Sequence, residues 1–278
     1  MDYKTLIVQA EADEDGKSRV ELALALAILF GATLAGVAAR DLIPLMILPG
    51  SVPGAGALLA AEEKQIRAGL DAAERQFRAL AATTKARIAW RSMIADPAKT
   101  LAREARTADL VVVGRRPEGA SDSWSIQADP GDVLMQAGRP ILVVPPGLSS
   151  LNAAHIVIAW KDSLEARRAV ADAMPFLTRA VDVLVLEICD DEREQERAAP
   201  IVRDVAAYLI AHGVTATGEA RLLREATVAA ELLLAAEQLR AELVVAGAYA
   251  HSRLQEWVFG GLTKTLLGHF PKCCLLSR

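Results

Sequence analysis

Little in this 278-residue sequence is arranged for covalent chemistry. There is no Gly-x-Ser-x-Gly turn to lift a nucleophile off a strand end, and no His-Glu-x-x-His pair to hold a catalytic zinc. His251, His269 and Cys273 are metal ligands by type. They lack the Cys-x-x-Cys or His-x-x-x-His spacing that brings two ligands to one ion, so no metal is expected. Gly260 and Gly261 stand at the start of a helical pattern with Thr263 just beyond. Taken alone, the pair reads as a turn and helix N-cap, because no Gly-Lys-Ser/Thr follows to complete a P-loop. Trp160 ends an apolar run, where it either packs or lines a pocket, since pockets form at the carboxyl ends of parallel strands. A non-enzymatic protein is the expectation.

The elements that carry these residues are written twice. Leu6-Ile7-Val8, an acidic loop and an alanine- and leucine-rich helix over 17–30 are answered by Ile156-Val157-Ile158, a short loop and a helix over 164–174. Ser163 is placed to cap that second helix, with Glu165 favourable in its first turn. Later, 109–114 matches 242–247, each after an amphipathic helix (97–108 and 227–240) and each before a proline-led strand, 140–144 and 271–276. Apolar strands that do not alternate, joined by helices, call for a parallel sheet covered on both faces. The fold class is therefore α/β: two doubly wound parallel-sheet sandwich domains in a tandem repeat. Pro145, Pro146, Gly147, Ser149 and Ser150 mark the linker, dividing the chain into 1–150 and 151–278. Val143, Val144, Leu275 and Leu276 lie on the last strand of each half, and a bare apolar edge there would invite aggregation.

Composition removes other classes. With 53% hydrophobic residues and a net charge of −4, the chain is too apolar and too nearly neutral to be disordered. Its 31 Lys and Arg against 35 Asp and Glu give no attraction for a phosphate polymer, so no nucleic-acid partner is expected. Residues 22–39 run uncharged over 18 positions, the threshold of a membrane span. Gly31 falls where a helix C-cap would, so a helix followed by a buried strand accounts for the run. Pro44, Pro49 and Pro53 break the next apolar stretch. Neither a membrane span nor a signal peptide is expected. Cys189, Cys273 and Cys274 cannot form a disulfide framework, which suits reduced core thiols and a cytoplasmic location. Arg115 and Arg116 are expected at a solvated loop tip, and 190–197 at the solvated acidic start of a helix.

The strand endings Val-Val-Gly and Val-Ala-Gly, the glycine pair opening a helix and the final proline-led strand resemble the universal stress protein family, in a tandem arrangement. The resemblance implies that the two domains form a pseudo-dimer through their last strands, with Val143, Val144, Leu275 and Leu276 at that contact. The likeness is closest in the second half, at 247–253, at Gly260-Gly261-Leu262-Thr263 and at the strand-to-helix turn 160–170. Nucleotide-binding members carry Gly, two residues, Gly, nine residues, then Gly-Ser or Gly-Thr. Small residues let the backbone approach the phosphates, and amides at the helix mouth point at them. Here Gly247 and Ala250 hold the first two positions, residues 251–259 form the spacer, and Gly260 and Gly261 end it, with Thr263 offering a hydroxyl. The first half puts Pro117 at the second glycine and Asp132 after Gly131. Those residues remove a donor and repel an anion, so that half is expected to hold no nucleoside phosphate.

The resemblance thus implies a stress-response regulatory or sensing module with ATP or another adenine nucleotide in its second domain. Gly247, Ala250, Gly260, Gly261 and Thr263 would serve the phosphates, and Ala159, Trp160 and Lys161 would face the base or sugar. The family's Asp near the adenosine corresponds to Glu11 in the first half and Lys161 in the second, and Lys161 would reach the phosphates or pair with Asp162. Three readings remain open: a nucleotide-binding module, a scaffold acting through protein contacts, and a slow ATP hydrolase. A homodimer is compatible with each.

Overall fold

Strand β1 (Thr5–Gln9) buries Leu6, Ile7 and Val8 in succession, so its sheet must be covered on both faces. The computed structural model describes residues 2–42, 55–115, 128–248 and 261–278. The chain divides into two compact units.

The N-terminal unit, Lys4–Ala137 with Pro146–Ser150, continues from β1 through α1 (Glu14–Phe30), β2 (Thr33–Arg40), α2 (Ala55–Ala82), β3 (Arg87–Ile94), α3 (Pro97–Glu104), β4 (Leu110–Gly114) and α4 (Pro130–Ala137). Its strands are parallel in the order β3-β2-β1-β4. Asp13 caps α1 by accepting from the Gly16 amide at 2.6 Å. Gly31 ends the helix in the left-handed region at φ 63°, and β2 follows at once. The uncharged run 22–39 is therefore a helix end and a buried strand, as the position of Gly31 predicts. No described helix is long and apolar enough to cross a membrane.

The C-terminal unit repeats the plan with β6 (His155–Ala159), α5 (Leu164–Leu177), β7 (Asp182–Cys189), α6 (Glu192–Ala211), β8 (Ala216–Leu222), α7 (Val228–Gln238), β9 (Leu243–Gly247), α8 (Gly261–Gly268) and β10 (Cys273–Ser277). The order is β8-β7-β6-β9-β10, again parallel. This unit also includes β5 (Ile141–Val144), which pairs antiparallel with β10 in the register Val143↔Cys274, Leu142↔Leu275 and Ile141↔Leu276. All of these residues are fully buried, so neither strand presents an apolar edge there. Cys273 and Cys274 are core residues of β10. Ser163 caps α5 through a 3.2 Å bond from the Ala166 amide, as its position predicts.

Candidate functional site

In an open parallel sheet, ligands bind beyond the carboxyl ends of the strands, where the winding direction reverses. That point lies between β1 and β4 in the first unit and between β6 and β9 in the second. The two places differ in what fills them.

At the end of β1 and β4 the crevice is occupied by the chain itself. Arg19 projects from α1, is 4% exposed, and donates from Nε to the Gln9 carbonyl and from Nη2 to Glu11 Oε2, both at 2.8 Å. Gln9 completes the network. Its Nε2 donates to Glu11 Oε1 at 2.9 Å, and its Oε1 accepts from the Gly114 amide at 3.1 Å. A methyl group on Gly114 would collide with Arg19 Nη1, so the guanidinium lies directly over that glycine. The mouth of α4 is also taken, because Asp129 Oδ1 accepts from the Gly131 and Asp132 amides at 2.8 and 3.3 Å. Arg115 is buried rather than at a solvated tip. Arg116 and Pro117 lie outside the described residues.

The second unit lacks this filling among the described residues. The caps Asp13–Gly16 and Ser163–Ala166 correspond at a shift of 150, which puts the fully buried Ala169 where the first unit has Arg19. Gly247, at the end of β9, faces the backbone of Glu165 and Ala166 at the start of α5, so strand and helix meet there with no room for a side chain. Gly261 opens α8, and a Cβ on it would meet no described atom. Thr263 is half-buried in the first turn of α8, while Thr265 Oγ1 donates back to the Gly261 carbonyl. Ala250 and Gly260 lie outside the described residues.

At the end of β6, Ala159 pairs with Leu186 of β7 and Ala246 of β9. Trp160 is 7% exposed, and its Nε1 is buried without a hydrogen-bond partner among the described residues. Lys161 does not pair with Asp162. Its Nζ donates to Glu194 Oε1 at 2.5 Å and lies 3.4 Å from Glu187 Oε1, while Asp162 pairs with Arg167. Glu194, in the first turn of α6, is thus a partner of the β6 turn as well as part of an acidic helix start.

Electrostatics at this edge follow from burial and pairing. Burial pushes the Glu187 carboxyl above its ordinary range, and attraction to Lys161 only partly offsets this. Burial alone would lower Lys161, but the hydrogen bond to Glu194 and the charge of Glu187 hold it above its usual value. Glu194 falls below the carboxylate range because Lys161 and the Asp190 amide donate to it. The Cys189 thiol is pushed up to about 11, first by burial and then by Glu187 and Glu194, so it is no thiolate nucleophile at neutral pH. A carboxyl raised in the folded state costs stability above its unfolded pKa, and the cost is complete once pH passes the folded value. Glu187→Gln is accordingly expected to melt higher than wild type at pH 7. The gap should close as pH falls through the carboxylate range, which thermal melts at pH 7 and pH 4 would reveal.

Sequence reasoning passes over Arg19, Gln9, Glu187 and Glu194 as participants. The available signal was a lone charge inside an apolar pattern: Arg19 falls on the buried stripe of α1 with Gly16, Val20 and Ala23, and Glu187 interrupts a β7 run of valine and leucine.

No protein-family model and no curated protein matches this chain. Solved structures do resemble it. A universal stress protein from Archaeoglobus fulgidus DSM 4304 aligns over 99% of this chain and 96% of its own, with a TM-score of 0.72 and 13% identity. A functionally unknown protein from Pseudomonas aeruginosa PAO1 aligns over 99% and 92%, with a TM-score of 0.60 and 12% identity. Likeness at such low identity is likeness of fold. The chain has the α/β fold of a two-domain universal stress protein.

Proposed function

We propose that this chain is a tandem universal stress protein, a cytoplasmic, non-enzymatic regulatory module that holds one adenine nucleotide in its C-terminal unit. The observation that carries the reading is the contrast between the two crevices. Arg19 and Asp129 occupy the first with an internal cation and an internal anion. In the second, Ala169 is too short to reach the corresponding space, and α8 opens on Gly261 with no described side chain against it. Phosphates at the mouth of α8 would meet amide donors and the positive end of the helix dipole, with the Thr263 hydroxyl within the first turn. Gly247, Ala250 and Gly260 would shape the approaching loop, and Ala159, Trp160 and Lys161 would border the nucleoside.

Calorimetric titration with ATP tests this directly. One site per chain is expected, with a Kd below millimolar and no phosphate released over hours. Gly261→Asp sets a carboxylate at the phosphate position and should weaken binding at least tenfold, or about 1.4 kcal/mol. Absence of heat at millimolar ATP, with no nucleotide released from denatured protein, would overturn the reading in favour of a protein-binding scaffold.

A further inference from the structure

Strand β7 runs Val183-Leu184-Val185-Leu186 and then buries a charge at Glu187, which is 5% exposed. A carboxylate in such surroundings needs both oxygens satisfied. Among the described residues only one is. Oε1 lies 3.4 Å from Lys161 Nζ, whereas Oε2 is buried with no hydrogen-bond partner. The neighbouring strand shows the complementary deficit in the partnerless indole N–H of Trp160. The last register pair, Ala159 with Leu186, sets Trp160 and Glu187 side by side just beyond it, at the carboxyl edge of the sheet. The same Ala159 pairs with Ala246, one residue before Gly247. An unmet acceptor and an unmet donor therefore lie on adjacent strands at the carboxyl edge of the sheet.

We propose that Glu187 is the specificity-determining residue of the nucleotide site, its Oε2 accepting a hydrogen bond from an N–H or O–H group at the nucleoside end of the ligand. The inference rests on the nucleotide reading above. Charge gives it direction. A buried carboxylate repels phosphate, so the anionic end of the ligand is directed to the amides of α8 and the neutral, donor-bearing end to β7. Lys161 does not change this polarity, because Glu194 and Glu187 already hold its ammonium. The donor is either the exocyclic amine of the base or a ribose hydroxyl, and a site built around such a bond rejects analogues that lack it.

The test titrates ATP, ITP, 2′-deoxyATP, 3′-deoxyATP and tripolyphosphate into wild type and Glu187→Met, which keeps side-chain length but removes the acceptor. Glu187→Gln is run in parallel as the conservative variant should the Met variant melt before titration. ATP should bind Glu187→Met at least tenfold more weakly and Glu187→Gln less severely so, while tripolyphosphate binds all three proteins alike. Whichever analogue lacks the relevant donor should bind wild type and Glu187→Met equally. That loss of discrimination is one a merely structural role would not produce. ITP in that position identifies the exocyclic amine, and a deoxynucleotide identifies the missing hydroxyl. Equal ATP affinity in wild type and Glu187→Met, or equal discrimination among the analogues, would overturn the assignment of Glu187 and leave the nucleotide reading intact. Failure of wild type to bind ATP at all would overturn both.

Discussion

Arg19→Ala is expected to destabilise the N-terminal unit by about 3 kcal/mol, measured by chemical denaturation at pH 7. The loss does not come from the Coulomb energy of the pair with Glu11, because a buried ion pair gains little over a well-packed apolar one. It comes from what is left behind. The Gln9 carbonyl and the Glu11 carboxylate each lose a donor, and the space over Gly114 empties. A second substitution separates this account from a generic cavity. Gly114→Ala alone should be strongly unfavourable, because its methyl group meets Arg19 Nη1, in a guanidinium that its bonds to Gln9 and Glu11 hold in place. In the Arg19→Ala background the same methyl group enters vacated space. The two changes should be far from additive, with a coupling energy of at least about 1 kcal/mol. Additive costs would show that Arg19 does not sit over Gly114 in solution.

Gly247→Val should be as damaging, and no change elsewhere should repair it. A Cβ at this position meets the backbone of Ala166 and Glu165, which cannot rotate aside as an arginine tip can. Overpacking of this kind costs about 1–3 kcal/mol, and a branched side chain against a helix start belongs at the upper end of that range. Its consequence reaches the proposed site, because pushing α5 from β9 shifts the turn that carries Trp160 and Lys161. Thermal unfolding and ATP titration should therefore both respond, and a variant that melts like wild type would exclude close packing of β9 on α5. The comparison also assigns the two glycines their roles. Gly114 makes room for a side chain of its own unit, whereas Gly247 lets a helix approach a strand.

Much of this architecture is set locally. The helix starts at Asp13 and Ser163 and the left-handed stop at Gly31 follow from side chains competing for nearby amides and from the backbone freedom of glycine. The parallel strands follow from unbroken apolar runs such as Leu110–Val113, which bury both faces and so require helices on each. Because the opening strand and helix cap recur at a shift of 150, and the strand 109–114 recurs at 242–247 at a shift of 133, the repeat and its α/β class are legible from the order of residues alone.

The contents of the crevices were decided by tertiary structure. Gln9 and Gly114 are 105 residues apart and bond only because β1 and β4 are neighbours in the sheet. Lys161 and Glu194 are 33 residues apart and meet only because the turn after β6 lies beside the start of α6. Periodicity and capping act over a few residues, whereas a buried charge is stabilised by whichever group the folded sheet brings within reach. The sequence therefore determined two copies of one sandwich. Folding determined that one copy would fill its crevice with Arg19 and that the other would bury Glu187 with an oxygen unmet among the described residues.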